Sequence, residues 1–240
     1  MRRPVAVIIV AGGAVAALAA KAATPTIPIV VAIGDDPIKY GLAASLSRPG
    51  GNITGVTLFV DTLTPKRLEL PSEAAPAAAL ALVTNPRNPN AESEVTNAQA
   101  AAQQIGRELR VATASSESEL DAAFASIAQQ PGAALMIGAD PFFYSRRGQL
   151  AGLAARYAIP TIYFHREFAV TGGLISYGST FTDEFRMAGR YTGRILAEKA
   201  SDLPILQPSR FELVVNLNTA QALGLTVPPS ILGRADEVIE

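Results

Sequence analysis

The chain has 240 residues, 49% of them hydrophobic and 17% charged, with a mean hydropathy of +0.24. That is ample apolar material for one large domain or two smaller ones, and it excludes a disordered chain. A formal net charge of -1 supplies no field to gather phosphate backbones or anionic lipid, so nucleic acid and membrane surfaces are poor partners; with no cysteine and one histidine, His165, disulfides, thiolate catalysis and multi-histidine metal sites are excluded.

The first residues allow two readings. Met1-Arg2-Arg3, an apolar run to Ala20 and the small residues Lys21-Ala22-Ala23 have the three regions of a secretory leader. The same residues also read as a strand, Val5 to Val10, a Gly12-Gly13 turn and an alanine-rich helix, Ala14 to Ala23, leading into the next strand at Ile27. We favour the second reading. Further apolar β-branched runs follow at Ile27 to Ile33, Ile53 to Phe59, Ala79 to Thr84, Arg110 to Ala114, Ala134 to Gly138, Pro160 to Phe164 and Leu174 to Tyr177, separated by helical stretches. Strands alternating with helices imply parallel sheets covered on both faces, and near-continuous runs such as Ile29-Val30-Val31-Ala32-Ile33 fit burial on both sides. The clearest helix start is Ser116 with Glu119, a capping box; Asn90, Thr180 and Asp140-Pro141 are weaker ones.

Gly50-Gly51-Asn52 with the strand to Phe59, and the segment Leu174 to Ser179, read as lobe boundaries. They place residues 1–59 with 178–240 in a first, discontinuous lobe and residues 60–177 in a second. The tail reads as a strand from Phe211 to Leu217, a short helix from Asn218 to Leu223 ended by Gly224, and a last short helix after Pro228-Pro229.

In open parallel α/β sheets ligands sit at the carboxyl ends of strands. Gly34-Asp35-Asp36-Pro37 and Gly138-Ala139-Asp140-Pro141 occupy equivalent places in the two lobes, each with proline at the expected first helical position. An aspartate there can simply cap its helix. As a pair facing one cleft, Asp36 and Asp140 can instead hold a ligand ammonium by charge-assisted hydrogen bonds. Gly12-Gly13-Ala14 opens a helix after a strand, so its free amides either accept a carboxylate or form a plain tight turn; no nucleotide fingerprint follows. Phe142, Phe143 and Tyr144 follow Asp140, and Tyr177 ends another strand, as stacking walls or as packing against neighbouring helices. His165 has only Glu167 nearby as a partner and reads as a hinge or lip residue rather than a base.

The segments AAKAATPTIPIVVAIGDDPI, LSRPGGNITGVT, KRLEL, LVTNPRNPNAE, GADPFFYSRRGQLAGLAARYAIPTIY, GGLISYG and FELVVNLNTAQALGLTVPP closely resemble the ABC transporter substrate-binding protein family, over essentially the whole chain. Characterised members of that family bind amino acids, tryptophan and phenylalanine among them. The resemblance implies an α/β, two-lobed fold of the type I periplasmic-binding-protein kind with doubly wound parallel sheets. It also implies an interlobe cleft that closes on an amino acid, delivery to an ABC permease and its ATPase, a periplasmic location, no cofactor and no catalysis. Gly13 and Ala14 look like the carboxylate cradle, and Asp36, Asn90, Asp140 and Tyr177 like cleft contacts, with Phe142 added by its place beside Asp140. Family members carry a further segment of the first lobe before the residue that is Met1 here; without it that lobe has an unpaired sheet edge, which opens a route to self-association. Pro71 departs from a continuous leucine-rich helix and is expected to break or restart it. A ligand-sensing regulatory module on the same fold, without transport, is the alternative function.

Overall fold

The computed structural model describes residues 5–58, 60–75, 78–130 and 132–240. In chain order its elements are β1 (Ile8–Val10), α1 (Gly13–Ala23), β2 (Ile29–Ile33), β3 (Ile53–Thr57), α2 (Thr64–Ala74), β4 (Leu80–Thr84), α3 (Ala91–Gln104), β5 (Leu109–Thr113), α4 (Glu117–Ala128), β6 (Ala134–Ile137), α5 (Pro141–Ser145), α6 (Arg147–Arg156), β7 (Thr161–Tyr163), α7 (Arg166–Val170), β8 (Ile175–Gly178), α8 (Phe181–Ile195), β9 (Glu212–Asn216), α9 (Leu217–Ala222), α10 (Pro229–Leu232) and β10 (Glu237–Ile239). No helix among the described residues is long and apolar enough to cross a membrane. The chain divides into two compact units, Met1–Phe59 with Ser179–Arg210, and Val60–Gly178 with Phe211–Glu240.

In the first unit β1, β2 and β3 form a parallel sheet in that order. The period of two along β2 assigns its side chains to opposite faces. Ile29, Val31 and Ile33 pack with Ala17 of α1, while Val30 packs with Ala188, Tyr191 and Ile195 of α8. The outer edge of β3 is covered by an irregular segment: Leu206 donates to the Gly55 carbonyl and accepts from Thr57 N–H, both at 2.8 Å, and Thr54 Oγ1 donates to Leu203 O at 2.7 Å. Such cover satisfies backbone groups that an open edge leaves exposed.

The second unit holds a seven-stranded sheet in the order β10-β9-β8-β7-β6-β4-β5. Its pairs are parallel except β8 with β9. Leu80 and Leu82 of β4, with Met136, Ile162 and Ile175, face Leu68 and Leu70 of α2 and Ala98 of α3. Ala81 and Val83 of β4, with Leu135 and Ile137, face Leu120 and Phe124 of α4, Leu150 of α6 and Phe168 of α7. Apolar side chains on both faces are what a sheet sandwiched between helices demands.

Three expectations change. The tail, expected in the first lobe, joins the second unit, because β9 pairs antiparallel with β8 (Ile175 with Val215, Tyr177 with Leu213) and β10 pairs with β9. Helix α2 is not broken at Pro71, which lies inside it. Proline offers no N–H to the Arg67 carbonyl one turn back, but Pro71 is buried beside the Leu68 and Leu70 core positions. Packing of that face outweighs the lost hydrogen bond. Pro37, expected to open a helix, lies in turns that run through residues 37–41. The expected strand end at Phe59 lies outside the described residues.

Candidate functional site

Parallel pairing of β4 with β6, Val83 beside Ile137, brings the carboxyl ends of these strands together, so the loops into α3 and α5 meet. Asp140 forms the N-cap of α5. Its Oδ1 accepts from Phe143 N–H at 3.1 Å and its Oδ2 from Asn88 Nδ2 at 2.8 Å, and only 6% of the residue is exposed. Asn88 also donates to Ala139 O at 3.2 Å, while its Oδ1 accepts from Asn90 N–H at 2.9 Å. One side chain therefore fixes both loops. Asn90 is buried at the start of α3 without a side-chain capping bond, and its carbonyl accepts from Glu94 N–H at 2.9 Å.

Glu94 lies one turn further along α3 and is 5% exposed. Its Oε1 accepts from Ala139 N–H at 2.8 Å and its Oε2 from Thr84 Oγ1 at 3.3 Å. A buried carboxylate is costly unless its oxygens are bonded, and here both are. Room for it comes from Gly138: a Cβ there would stand 2.3 Å from Glu94 Oε2.

Aromatic rings gather next to this junction. The half-buried Phe142 ring lies 5.8 Å from Phe143, with the Arg146 guanidinium 6.0 Å from its centroid. Tyr144 meets Phe168 edge to face at 6.1 Å and His165 at 5.9 Å. His165 is buried at the start of α7 and also packs on Phe164 at 5.1 Å. Tyr163, fully buried, has its hydroxyl pKa pushed up by desolvation.

Tyr177 is elsewhere in the same sheet, two strands from β6. Its ring packs on the core between the sheet and α2, 6.2 Å from Phe211, and its carbonyl accepts from Arg67 Nε at 2.8 Å. Arg67 is 2% exposed. Gly178 is obligatory beside it, since a Cβ there would meet Phe164 O at 1.9 Å. The second unit thus brings Asn90, Asp140 and Phe142 together and sets Tyr177 apart from them. A separate polar hollow of about 410 Å³, lined by Glu117, Ser145, Arg146, Gly148 and Gln149, is spanned by an Arg146–Glu117 ion pair of 2.7 Å.

In the first unit Gly13 begins α1 at φ +81°, a conformation that favours glycine. At the expected carboxylate cradle, Ala14 N–H donates to Asp35 Oδ2 at 2.6 Å, and the Asp35 carbonyl accepts from Thr57 Oγ1 at 2.7 Å. The positive end of α1 is thus met by the chain's own carboxylate. Asp36, half-buried, accepts from Ile38 N–H at 2.8 Å and Lys39 N–H at 3.3 Å and so holds the turn that follows.

Asp35, Asn88 and Glu94 were not singled out in the sequence. For Glu94 the usable signal was a carboxylate four residues after Asn90, on the helix face that carries Ala98 and Ala101 into the core. Asn88 and Asp35 left none beyond lying in loops at strand ends.

Two α/β units with mostly parallel sheets covered on both faces are the fold of the type I periplasmic-binding kind. The chain belongs to the ABC transporter substrate binding protein family, whose model matches residues 5–239. It is 26% identical over 211 residues to a tyrosine-binding protein of Clostridioides difficile strain R20291, covering 87% of this chain and 60% of that relative's length. Among solved structures it is similar to an ABC domain of Streptococcus pneumoniae in complex with L-Trp, with a TM-score of 0.86 and 24% identity over 98% of this chain and 79% of that one. A conserved domain protein of Vibrio cholerae O1 biovar El Tor gives a TM-score of 0.83 with 25% identity, over 97% of this chain and 78% of that one.

Proposed function

We propose that this chain is the solute-binding component of an ABC importer and that it takes an amino acid with an aromatic or branched apolar side chain. The observation that carries the proposal is the Asp140 carboxylate, buried at a strand end with both oxygens oriented and with Asn90 beside it. A carboxylate held in this way binds an ammonium group more strongly than a solvated one does. Phe142 supplies an apolar wall next to it, and Asp36, Gly13 and Tyr177 are proposed as further contacts. The ligand carboxylate is not assigned to Ala14, whose amide is committed to Asp35.

The choice of an aromatic ligand is supported by the tyrosine-binding relative and by the L-Trp complex of the pneumococcal neighbour. The proposed partners are a membrane permease and its ATPase, and the proposed location is the exported side of the membrane, as the family membership suggests.

Calorimetric titration with the twenty common amino acids tests this directly. Binding of tyrosine, tryptophan, phenylalanine or a branched apolar amino acid is expected, and Asp140→Asn should weaken it by about 10- to 100-fold, the usual worth of a hydrogen bond to a charged group. Saturable binding to none of them would overturn the proposal.

A further inference from the structure

We infer that Glu94 is a positioning residue for ligand recognition: it sets the loop that carries Asp140 relative to the helix that begins at Asn90. The inference rests on the reading of Asp140 as the ammonium contact and adds to it a group that touches no ligand.

Asp140 stands at the end of a three-residue connection, Gly138-Ala139-Asp140, and the middle amide of that connection donates to Glu94 Oε1 at 2.8 Å. Glu94 belongs to α3, whose first turn presents Asn90, and the Asn90 carbonyl accepts the Glu94 amide at 2.9 Å. The same carboxylate takes the Thr84 hydroxyl at the end of β4 at 3.3 Å. Three segments converge on one buried carboxyl group: the end of β4, the start of α3 and the loop after β6. Gly138 leaves the space that group occupies, since a Cβ there would lie 2.3 Å from Glu94 Oε2.

Stability alone does not call for such a group. Well-packed apolar residues commonly hold a helix against a sheet at less desolvation cost than a buried carboxylate. What a bonded carboxylate adds is a fixed distance and direction. A site that reads an ammonium group by two short polar side chains needs their spacing held within about half an ångström.

The test uses the intact chain and two probes, L-tryptophan and its deaminated counterpart 3-(indol-3-yl)propanoate, measured on wild type, Glu94→Ala and Glu94→Gln. Glu94→Ala should weaken L-tryptophan binding by about 10- to 100-fold and leave the deaminated acid within about threefold of wild type. Glu94→Gln, which keeps an acceptor for the Ala139 amide, should recover most of the loss. An equal loss for both probes would reduce Glu94 to general structural support, and wild-type affinity for both probes in Glu94→Ala would remove any role. If wild type binds both probes equally, it is the ammonium reading of Asp140 that fails, and if it binds neither, it is the choice of an aromatic ligand, whatever Glu94 does. Should Glu94→Ala not fold, amide exchange of the wild type decides: Ala139 N–H is expected to be protected, and rapid exchange there would overturn the positioning role.

Discussion

The Ala14 amide donates to Asp35 Oδ2 at 2.6 Å, so helix α1 starts on a carboxylate that the chain brings back from the end of β2, 21 residues away. Asp35 therefore acts as a non-local cap for α1 and joins the first two strands of its unit at their carboxyl ends. Asp35→Ala is expected to lower stability by about 1–2 kcal/mol, the range for losing a helix cap, and Asp35→Asn by less. Thermal denaturation of the two variants checks this; wild-type stability in Asp35→Ala would show that the bond contributes nothing.

Gly178 ends β8 where a side chain has no room. A Cβ would stand 1.9 Å from the Phe164 carbonyl, so Gly178→Ala must push β7 and β8 apart. The expected cost exceeds about 2 kcal/mol, at the upper end for overpacking a buried position. Urea denaturation should show a lower midpoint, and an unchanged midpoint would mean the strands separate there at no cost.

Glu73, near the end of α2, is tied to the C-terminal segment. Ser230 of α10 donates to it and Arg234 pairs with it. Its pKa is lowered below the usual carboxylate value of 4.5, first by the Ser230 hydrogen bond and then by Arg234, against an opposing desolvation effect. Because the charged form is favoured in the folded chain, the contribution is present above the unfolded value and is lost as pH falls through the lowered one. Glu73→Gln should destabilise by no more than about 1 kcal/mol at neutral pH, and the difference from wild type should shrink as pH drops below 4.5. Stability curves at several pH values check it, and a difference that grows toward acid would contradict the assignment.

Ala158 has φ +51° and is the one non-glycine residue with positive φ among those described. It follows α6 in a closing motif in which Ile159 N–H bonds Ala154 O at 2.9 Å and Ala158 N–H bonds Ala155 O at 3.1 Å. Gly106 closes α3 with the same pair of bonds and φ +67°. Glycine adopts this conformation without the strain alanine carries, so Ala158→Gly should raise stability by about 0.5–1 kcal/mol after its own entropic cost. A lower melting temperature for that variant would contradict it.

Much of the fold was legible locally. The β-branched runs around Ile29–Ile33 and Leu80–Thr84 and the capping residues Ser116, Asp140 and Thr180 stand where the sequence suggests, and each of these three side chains accepts the amide three residues on. Glu119 bonds back to Ser115 N–H at 2.6 Å rather than to Ser116, a shift of one residue that no pattern distinguishes. The last strand, Glu237–Ile239, is too short and too exposed to register as a run.

By itself the sequence determined which stretches become strands and helices, that both faces of the sheets are covered, and the family to which the chain belongs. These follow from side-chain periodicity and from motifs only a few residues long. Tertiary structure decided which sheet the tail enters, that Asp35 meets the start of α1, and that Glu94 and Asn88 reach Ala139 and Asp140 across 45 to 52 residues of chain. Those outcomes depend on which strand ends lie side by side once the sheets form, a long-range property that no local pattern encodes.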